Sequence, residues 1–436
     1  MSHHHVSFKD LPEGGEKFEV AKASKMVSTL AGIGGIGLLG SAYFFFSDIA
    51  SFSYSWLFAT FVAFTIVAGG CFWILLHNAS NSGWGVTVRR LFENLGMLAL
   101  PLCVLCLPLL IPDVQTHLWE WMNHHRAAAA EAAHLGNGAT TLSVLHHMTV
   151  ANPHLHVLSE KYGYLNITFW YVRFFFYFAI LGFMAWKLRK EFLDQEKDGS
   201  MKHTVAARQW SCVMLFPFAL TITFAAVDWV MGLDYSWFST MWGVYIFAGS
   251  AWSSMALMLL IVSYLKSIGY LQQVVTDEHY HLMGKLLFTF TVFWAYIAFS
   301  QYFLIWYANI PEETRWYLIR NTGNWQVVSI LIVLGHFIAP FVLLLSQPRK
   351  KNVKMICAVA IWVLLMHFVD LWWNIIPERG PSLGKGVSIP GAWIGDVFAF
   401  CAVFGTLGFI YFRTLGKNSL YAWRDPRLME SVNVRN

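Results

Sequence analysis

Ten long apolar runs constrain the fold of this chain more than any other feature of its sequence. A helix needs about 20 apolar residues to cross the hydrocarbon core of a bilayer, where its backbone hydrogen bonds must be made within the segment itself. The runs are residues 26–46, 54–76, 89–111, 164–188, 208–231, 238–265, 285–308, 323–347, 353–376 and 391–413. We therefore predict an all-α, polytopic membrane protein, with these runs as ten transmembrane helices (spans 1 to 10) of one membrane domain, residues 26–413.

The composition agrees with a membrane protein and argues against several other classes. Of the 436 residues, 57% are hydrophobic and only 13% are charged, whereas a soluble domain has about 25% charged residues. The net charge of +5 comes without a basic patch interleaved with exposed aromatic residues, so no nucleic-acid binding is expected. No His directly follows the CxxC of Cys103 and Cys106, which argues against a c-type haem attachment site.

The distribution of Lys and Arg predicts the orientation of the spans. With the N-terminus inside, the inner segments hold 23 of the 30 Lys and Arg residues and the outer segments hold six, while Arg173 lies within a span. Because inner loops carry the excess of positive charge, we expect residues 1–25 and 414–436 to be cytoplasmic tails. Spans 2–5 and 6–9 begin on the same side, so we expect two four-helix bundles flanked by spans 1 and 10.

One long outer loop, residues 112–163, is rich in histidine. Its segment "HLWEWMNHHRAAAAEAAHLG" is composed of helix formers and ends at Gly136, which predicts an amphipathic helix lying on the membrane or against a partner. The histidines have irregular spacing, so we expect partner docking here rather than a metal site. They are His117, His124, His125, His134, His146, His147, His154 and His156.

Ionisable side chains inside the spans are the candidate functional residues. A charge at the centre of a bilayer costs at least about 2.5–3.5 kcal/mol, so such residues are rare without a function. The candidates for a proton pathway are Arg173, Asp228, His336, His367, Asp370, Asp396, Glu93 and Lys285.

The expected depths place five of these residues in the outer half of the membrane. At about 1.5 Å per residue, Arg173 and His367 lie roughly 14 Å below the outer ends of their helices. Asp370 and Asp396 lie about 9 Å in, and Asp228 about 5 Å. We expect these five residues to form an outer, proton-accessible cluster.

The types of residue suit proton transfer. His367 and Asp370 are three residues apart and share a helix face, so the carboxylate can orient or charge the imidazole. Burial disfavours the charged forms of both groups, which lets them exchange a proton near neutral pH. His336 is expected to extend the cluster toward the middle of the membrane, and Glu93 with Lys285 to open it to the cytoplasm.

Structural roles compete with this interpretation. Arg173 can be neutralised by one aspartate, Asp228 and Glu93 lie near helix ends where they can act as caps, and Lys285 can extend its amine to the interface. A haem b between His336 and His367 is the remaining alternative for those two imidazoles.

Two adjacent strings carry a family resemblance. "AAVDWVMGLDYSWFSTMWGVY" (225–245) followed by "IFAGSAWSSMALMLL" (246–260) resembles the NrfD-like family of polysulfide-reductase membrane subunits. Within that family the chain is similar to the ActF-type membrane subunit of alternative complex III, a bacterial quinol:cytochrome c oxidoreductase. The most specific part of the resemblance is the Asp-Trp motif after span 5. Of the candidate residues, only Asp228 lies in this motif and is assigned by the resemblance.

The resemblance implies a non-redox subunit of a multi-subunit oxidoreductase in the bacterial inner membrane. Its expected partners are a multihaem cytochrome c, an iron–sulfur protein, a sister ten-span subunit and membrane lipids. No redox cofactor is expected in this chain, whereas quinone or menaquinol is expected in the complex. In that family the sister subunit is the better candidate for quinol oxidation, near the outer iron–sulfur face. The implied contribution of this subunit is a proton pathway, with a quinone-facing surface as a further expectation.

Three other functions remain open on the sequence. A proton-coupled or other secondary transporter would use the same ionisable groups, a haem-b anchor would use the paired histidines, and a scaffold would use the loop 112–163 to hold extrinsic cytochromes.

Overall fold

The structure is a computed structural model that describes residues 6–136, 138–152, 155–382 and 393–435. Ten helices of this part of the chain are long and apolar enough to cross a membrane, which confirms the prediction of an all-α polytopic membrane protein. They are Val20–Ser47, Ile49–Ala79, Val86–Leu110, Ile167–Asp198, Met201–Leu233, Trp242–Ser267, Asp277–Ala308, Trp325–Leu344, Val353–Glu378 and Trp393–Leu415.

Some predicted features lie outside the described residues. They are His154 of the outer loop, Lys385 among the outer basic residues, the first two residues of the predicted run 391–413, and the ends of both tails.

Three spans continue as helices well beyond their apolar runs. Spans 4, 5 and 7 extend through the polar stretches 189–198, 201–207 and 277–284. These stretches contain helix formers such as Lys, Glu and Gln, so the helix persists after the side chains stop being apolar. Hydropathy therefore locates the membrane crossing but not the end of the helix.

Span 3 is the most irregular of the first seven spans. It consists of an α-helix Val86–Gly96, a second α-helix Ala99–Cys106 and a 3₁₀ turn Leu107–Leu110. Pro101 has no N–H to donate to the carbonyl of residue 97, which explains why the helix breaks just before it.

Spans 2 and 6 form the centre of the membrane domain. Span 2 is buried along nearly its whole length and packs against spans 5, 6 and 10, while span 6 packs against spans 7 and 9. Spans 4 and 5 pair with each other, as do spans 1 and 10. The division into two four-helix bundles and the cytoplasmic location of both tails stay predictions.

Spans 1 and 10 approach each other through glycines. A Cβ atom added to Gly37 would lie 2.1 Å from the backbone nitrogen of Ala402, and one added to Gly405 would lie 2.4 Å from the nitrogen of Gly34. Small residues permit such backbone contact in membranes, where close packing replaces the hydrophobic effect as the source of helix association.

The two tails pack against the same end of the membrane domain. The Leu420 N–H donates to the backbone oxygen of Glu16 at 2.7 Å, and the Leu271 N–H donates to the Glu16 carboxylate at 2.6 Å. The side chain of Asn433 exchanges two hydrogen bonds with the backbone of Val6. The described parts of both tails are therefore joined to each other and to the loop between spans 6 and 7.

The loop 112–163 contains short helices, of which the longest, Glu120–Leu135, confirms the predicted helix and its stop at Gly136. Gly136 has a positive φ of 58°, a conformation that favours glycine. One face of this helix is buried within the chain itself. On that face His125 stacks on Tyr162 with 5.1 Å between the ring centroids, so the helix is anchored to the segment that leads into span 4.

Replacing Gly37 tests the contact between spans 1 and 10. We expect Gly37→Val to push the two helices apart and to lower the free energy of unfolding by about 1–3 kcal/mol. Gly35→Val is the matched control, because a Cβ atom at Gly35 would meet nothing within 4 Å. Thermal unfolding in detergent measures both variants, and equal melting temperatures would contradict the close contact.

The buried imidazole of His125 predicts acid sensitivity of the outer loop. Burial, helped by repulsion from His124, lowers the pKa of His125 from 6.5 to about 4. In the unfolded loop the imidazole of His125 is protonated near pH 6.5, whereas in the folded loop it is protonated only near pH 4. The contribution of this residue to the stability of the loop is therefore fully present above pH 6.5 and is lost as the pH falls to 4. Limited proteolysis of the loop should increase over this range in the native chain. The rate of proteolysis should increase less in the variant His125→Phe. The control His134→Phe, at an exposed site, should show the same increase as the native chain.

Candidate functional site

The spans bring three of the predicted ionisable residues together in one buried cluster. His336 of span 8 and His367 and Asp370 of span 9 each place one ligand atom, a ring nitrogen or a carboxylate oxygen, within 4.8 Å of the others. The Nε2 atom of His336 lies 4.0 Å from an oxygen of Asp370. All three side chains are buried. We call these residues the His–His–Asp cluster.

His336 lies in a distorted part of span 8. The helix is α-helical over Trp325–Leu331, changes to a π-helix over Ile332–Ile338 and returns to α-helix at Ala339–Leu344. Pro340 lacks the N–H that an α-helix would direct at the carbonyl of His336, so the regular ladder cannot be kept there. Such π segments occur often at functional sites.

Two tryptophans hold the His336 ring from both sides. The ring centroids of Trp252 and Trp294 lie 4.0 Å and 3.6 Å from that of His336, and both pairs are stacked. The indoles restrict the imidazole to one plane. Within the described part of the chain, neither nitrogen of His336 has a hydrogen-bond partner.

The carboxylate of Asp370 is held by donors from two spans. The hydroxyl of Tyr245 in span 6 donates a short hydrogen bond to its Oδ1 atom, and Nδ2 of Asn374 donates to the same atom at 3.2 Å. The remaining oxygen faces His336. At 4.0 Å from His336 Nε2 this oxygen is beyond direct hydrogen-bond distance, so proton transfer between the two groups needs one bridging water.

His367 is fixed from span 2. Its Nε2 atom lies 2.9 Å from the hydroxyl of Thr65, and its other nitrogen has no partner among the described residues. Gly249 of span 6 makes room for the ring, since a Cβ atom there would lie 3.0 Å from Cε1 of His367. Three of the four imidazole nitrogens in the cluster thus have no hydrogen-bond partner among the described residues.

A polar path leads from the cluster toward the outer surface. Asn374, which donates to Asp370, has its backbone oxygen bonded to Arg320 Nη2 at 2.7 Å. The same guanidinium nitrogen donates to Glu378 at 3.2 Å. Glu378 lines a cavity of about 1150 Å³ beside the loop 112–163, on the predicted outer side, together with Asp234 and several loop residues. We call this the outer cavity.

Arg320 is charged despite its burial. Burial lowers its pKa to about 10 and the nearby Glu378 opposes that shift, so the guanidinium carries its proton at neutral pH. Its plane also stacks on Trp316 at 3.2 Å. A fixed positive charge between the cluster and the outer cavity favours the ionised form of carboxylates on both sides.

Arg173 and Asp228 form a separate ion pair. Two guanidinium nitrogens donate to the two carboxylate oxygens at 2.7 and 2.8 Å, and the Tyr177 hydroxyl donates a further hydrogen bond at 2.5 Å. The guanidinium also lies 4.0 Å from the Tyr164 ring. Bidentate pairing neutralises both charges, which is the structural role weighed above for Arg173.

Asp396 belongs to a third group. Its Oδ1 atom accepts hydrogen bonds from Arg379 at 3.2 Å and from the Ser55 hydroxyl at 2.5 Å. Arg379 also donates to the backbone oxygen of Ser51 at 3.1 Å. The hydrogen bonds and ion pairs thus divide the expected five-residue outer cluster into three groups: Arg173 with Asp228, His367 with Asp370, and Asp396 with neither pair.

Glu93 and Lys285 lie apart from the cluster and from each other. Glu93 is buried between Arg90, whose Nη1 is 2.5 Å away, and Arg89 at 3.5 Å. Arg89 also binds Asp425 of the C-terminal tail at 2.9 Å. The network around Glu93 therefore ties the tail to span 3. Lys285 lies partly exposed in span 7, eight residues after the helix begins at Asp277.

The distances within the cluster leave room for a small bridging group. Nε2 of His336 lies 4.0 Å from Asp370, which is longer than a direct hydrogen bond and longer than the about 3.4 Å between ligand atoms of tetrahedral zinc. Proton transfer across this gap needs one bridging water. Nε2 of His367 already has the Thr65 hydroxyl as its partner at 2.9 Å.

Several residues of the site gave no signal in the sequence. Tyr245, Thr65 and Asn374 are ordinary polar residues of membrane helices, and a search limited to charged groups and histidine passes over them. Arg320 lies in the segment between spans 7 and 8, where an exposed side chain is expected, but it is fully buried. The sequence signal that could have helped to find the site is the presence of Trp252 and Trp294 in neighbouring spans, since aromatic rings can restrain an intramembrane histidine such as His336.

Comparison with known proteins gives no independent assignment. No protein-family model matches the chain, and no curated protein is similar enough to match it. The functional argument therefore rests on the residues and contacts described above.

The Arg173–Asp228 pair should behave as a structural unit. We expect Asp228→Ala or Arg173→Ala alone to cost about 3–5 kcal/mol, because each leaves one buried charge unpaired. The double variant should cost clearly less than the sum of the two single variants, since it removes both charges. Thermal unfolding of the three variants in detergent measures this coupling, and strictly additive losses would contradict the pairing.

Proposed function

We propose that this chain is a membrane subunit of a respiratory quinol:cytochrome c, or other electron acceptor, oxidoreductase of the bacterial inner membrane. In this proposal the His–His–Asp cluster accepts protons released by quinol oxidation and passes them toward the outer side. The observation that carries the proposal is the approach of His336 to Asp370, at 4.0 Å, in a buried site where three of the four imidazole nitrogens have no hydrogen-bond partner within the described chain.

The chemistry of the cluster matches the requirement of the reaction. Oxidation of one quinol releases two electrons and two protons, and the protons need acceptors close to the membrane interior. The cluster contains three groups that each bind one proton, and Tyr245 can relay a proton to Asp370 along its short hydrogen bond. The electrons go to the redox groups of partner subunits.

The polar path to the outer cavity supports a direction for this transfer. Asn374, Arg320 and Glu378 follow Asp370 in that order, each in contact with the next. Arg320 is positively charged and would repel a proton, so it is not itself a proton carrier in this path. We infer that protons pass around it by way of water and carboxylates. Glu378 is the last group before the cavity.

The composition of the complex follows from the resemblance of the Asp-Trp segment. The proposed partners are a multihaem cytochrome c, an iron–sulfur protein and a sister ten-span subunit, with quinone or menaquinol bound in the complex. In this proposal Arg173, Asp228 and Asp396 hold the helices together, and Glu93 fixes the C-terminal tail.

Replacing Asp370 tests the proposed role of the cluster. We expect Asp370→Asn, measured in the intact complex in vesicles, to lower quinol turnover and outward proton release at least tenfold, because a general base typically contributes about 10²–10⁴-fold. His336→Gln should act in the same direction. Asp113→Asn is the matched control, since Asp113 is exposed in the outer loop.

The outcomes separate the proposal from its rivals. Unchanged proton release and turnover in Asp370→Asn, with the complex assembled, would overturn the role of the cluster. Flux of protons or of a solute through the chain alone, without an electron acceptor, would indicate a transporter. Co-purification of haem-c and iron–sulfur subunits in mild detergent is expected, and purification of the chain alone would contradict the assignment to a complex.

A further inference from the structure

Basic residues gather where spans 7, 8 and 9 meet on the predicted inner side. Span 8 ends at Leu344, and the short helix Gln347–Lys351 connects it to span 9, which begins at Val353. The connecting helix packs against the early part of span 7. We call the five Lys and Arg residues of this region the basic cluster. They are Lys285, Arg349, Lys350, Lys351 and Lys354.

The basic cluster contains two ammonium groups that repel each other. The stem of Lys350 lies on span 7, where a Cβ atom added to Gly284 would be 3.1 Å from its Cγ atom, and Lys285 is the next residue of that span. Burial, and next the positive charge of Lys285, lower the pKa of Lys350 from its usual 10.5. Lys350 is buried, so water and salt screen this repulsion little. An anion beside the two groups would relieve it.

Acidic side chains leave most of the basic cluster without compensation. Glu278 of span 7 accepts a hydrogen bond from Lys351 at 2.5 Å and neutralises that one cation. Within the described part of the chain, no carboxylate forms an ion pair with any of the other four members. The counter-charge for these four residues must therefore come from outside the described residues.

Donor hydrogens remain in the basic cluster for an anionic ligand. The Lys350 ammonium donates to two backbone carbonyls at the end of span 8, at 2.6 and 3.3 Å, which uses two of its three hydrogens. Arg349 is exposed and donates one hydrogen bond, to the backbone oxygen of Val342 at 3.1 Å. The ammonium of Lys285, which is partly exposed, makes no hydrogen bond to a described residue.

An exposed apolar stripe leads from the basic cluster along span 7. Its residues lie on the helix face of Lys285 and are Val292, Tyr296 and Phe299, at positions 7, 11 and 14 further on. At about 1.5 Å per residue the stripe reaches about 21 Å from the lysine, which exceeds half of a hydrocarbon core of about 30 Å. The end of span 8 exposes Leu345 as well. The cations therefore lie at the depth of lipid headgroups, with apolar surface leading from them into one leaflet.

We propose that the basic cluster binds the headgroup of an anionic phospholipid, with its phosphate between Lys285 and Lys350 and its acyl chains along the exposed faces of spans 7 and 8. A phosphate accepts hydrogen bonds from both ammonium groups and places negative charge between them. Basic pockets between membrane helices on the cytoplasmic side suit such lipids. A free phosphate offers the same oxygens but nothing to cover the apolar stripe. The inference is independent of the proposed function, because it uses none of the residues of the His–His–Asp cluster.

Native mass spectrometry of the purified full-length chain in detergent tests the site. The probes are phosphatidylglycerol and phosphatidylcholine with the same acyl chains. One molecule of phosphatidylglycerol should bind at least tenfold more tightly than phosphatidylcholine. We expect Lys285→Gln to weaken binding of phosphatidylglycerol about fivefold, and Lys285→Gln with Lys354→Gln to weaken it about 25-fold, because interfacial lysines contribute about equally. Lys285→Arg keeps the charge and should keep the affinity within about twofold.

A lysine that already has a counter-charge provides the matched control. Lys187 of span 4 is partly exposed, like Lys285, but its ammonium pairs with Glu191 at 2.7 Å. Lys187→Gln should bind phosphatidylglycerol as the native chain does. Phosphatidylglycerol should also raise the melting temperature of the native chain more than that of Lys285→Gln, since a ligand stabilises the state that binds it. Melting without added lipid verifies that each variant is folded.

The outcomes separate a lipid site from its rivals. Equal affinity for the two lipids, or undiminished binding of phosphatidylglycerol in Lys285→Gln, would overturn the site. Inorganic phosphate that displaced the lipid at equal concentration would indicate a free-anion site and would overturn the assignment to a lipid. An equal loss of affinity in Lys187→Gln would mean that net charge alone attracts the lipid, which would also contradict a site at Lys285 and Lys350.

Discussion

The absence of water in hydrocarbon is the constraint on which this structure depends. A buried charge in lipid must find its counter-charge or its hydrogen bonds within the protein, or it must lose its charge. Arg173 meets this demand with Asp228, and Arg379 meets it with Asp396, each in direct contact. The first pair joins the consecutive spans 4 and 5, and the second joins span 10 to the segment that precedes it. Each pair therefore helps to fix the position of a helix.

The His–His–Asp cluster meets the same constraint in a different way. Its members can be neutral, and the protein surrounds His336 with two stacked indoles and secures Asp370 with a tyrosine and an asparagine. A group that can be neutral or charged at low cost is suited to carry protons, whereas a bidentate ion pair is not. The distinction between paired and unpaired ionisable groups is thus the distinction between structural and functional candidates.

Irregular helix geometry accompanies the cluster. The π segment of span 8, next to Pro340, carries His336 of the cluster and also Val333 and Ile338, which line a cavity of about 740 Å³ between spans 7 and 8. The irregular part of the helix thus contributes to both the cluster and the cavity beside it. Tyr245 also has two roles, because it lines the cavity and donates a hydrogen bond to Asp370.

The sequence by itself determined the class of fold, the number of spans and the short set of intramembrane ionisable residues, because apolar length and the cost of buried charge are local properties. It also determined the helix Glu120–Leu135 and its end. Only the tertiary structure decided which ionisable residues meet. Residues as far apart in sequence as Thr65 and His367 come into contact through the rotation and tilt of each helix. Those depend on packing against every neighbour, which no local pattern encodes.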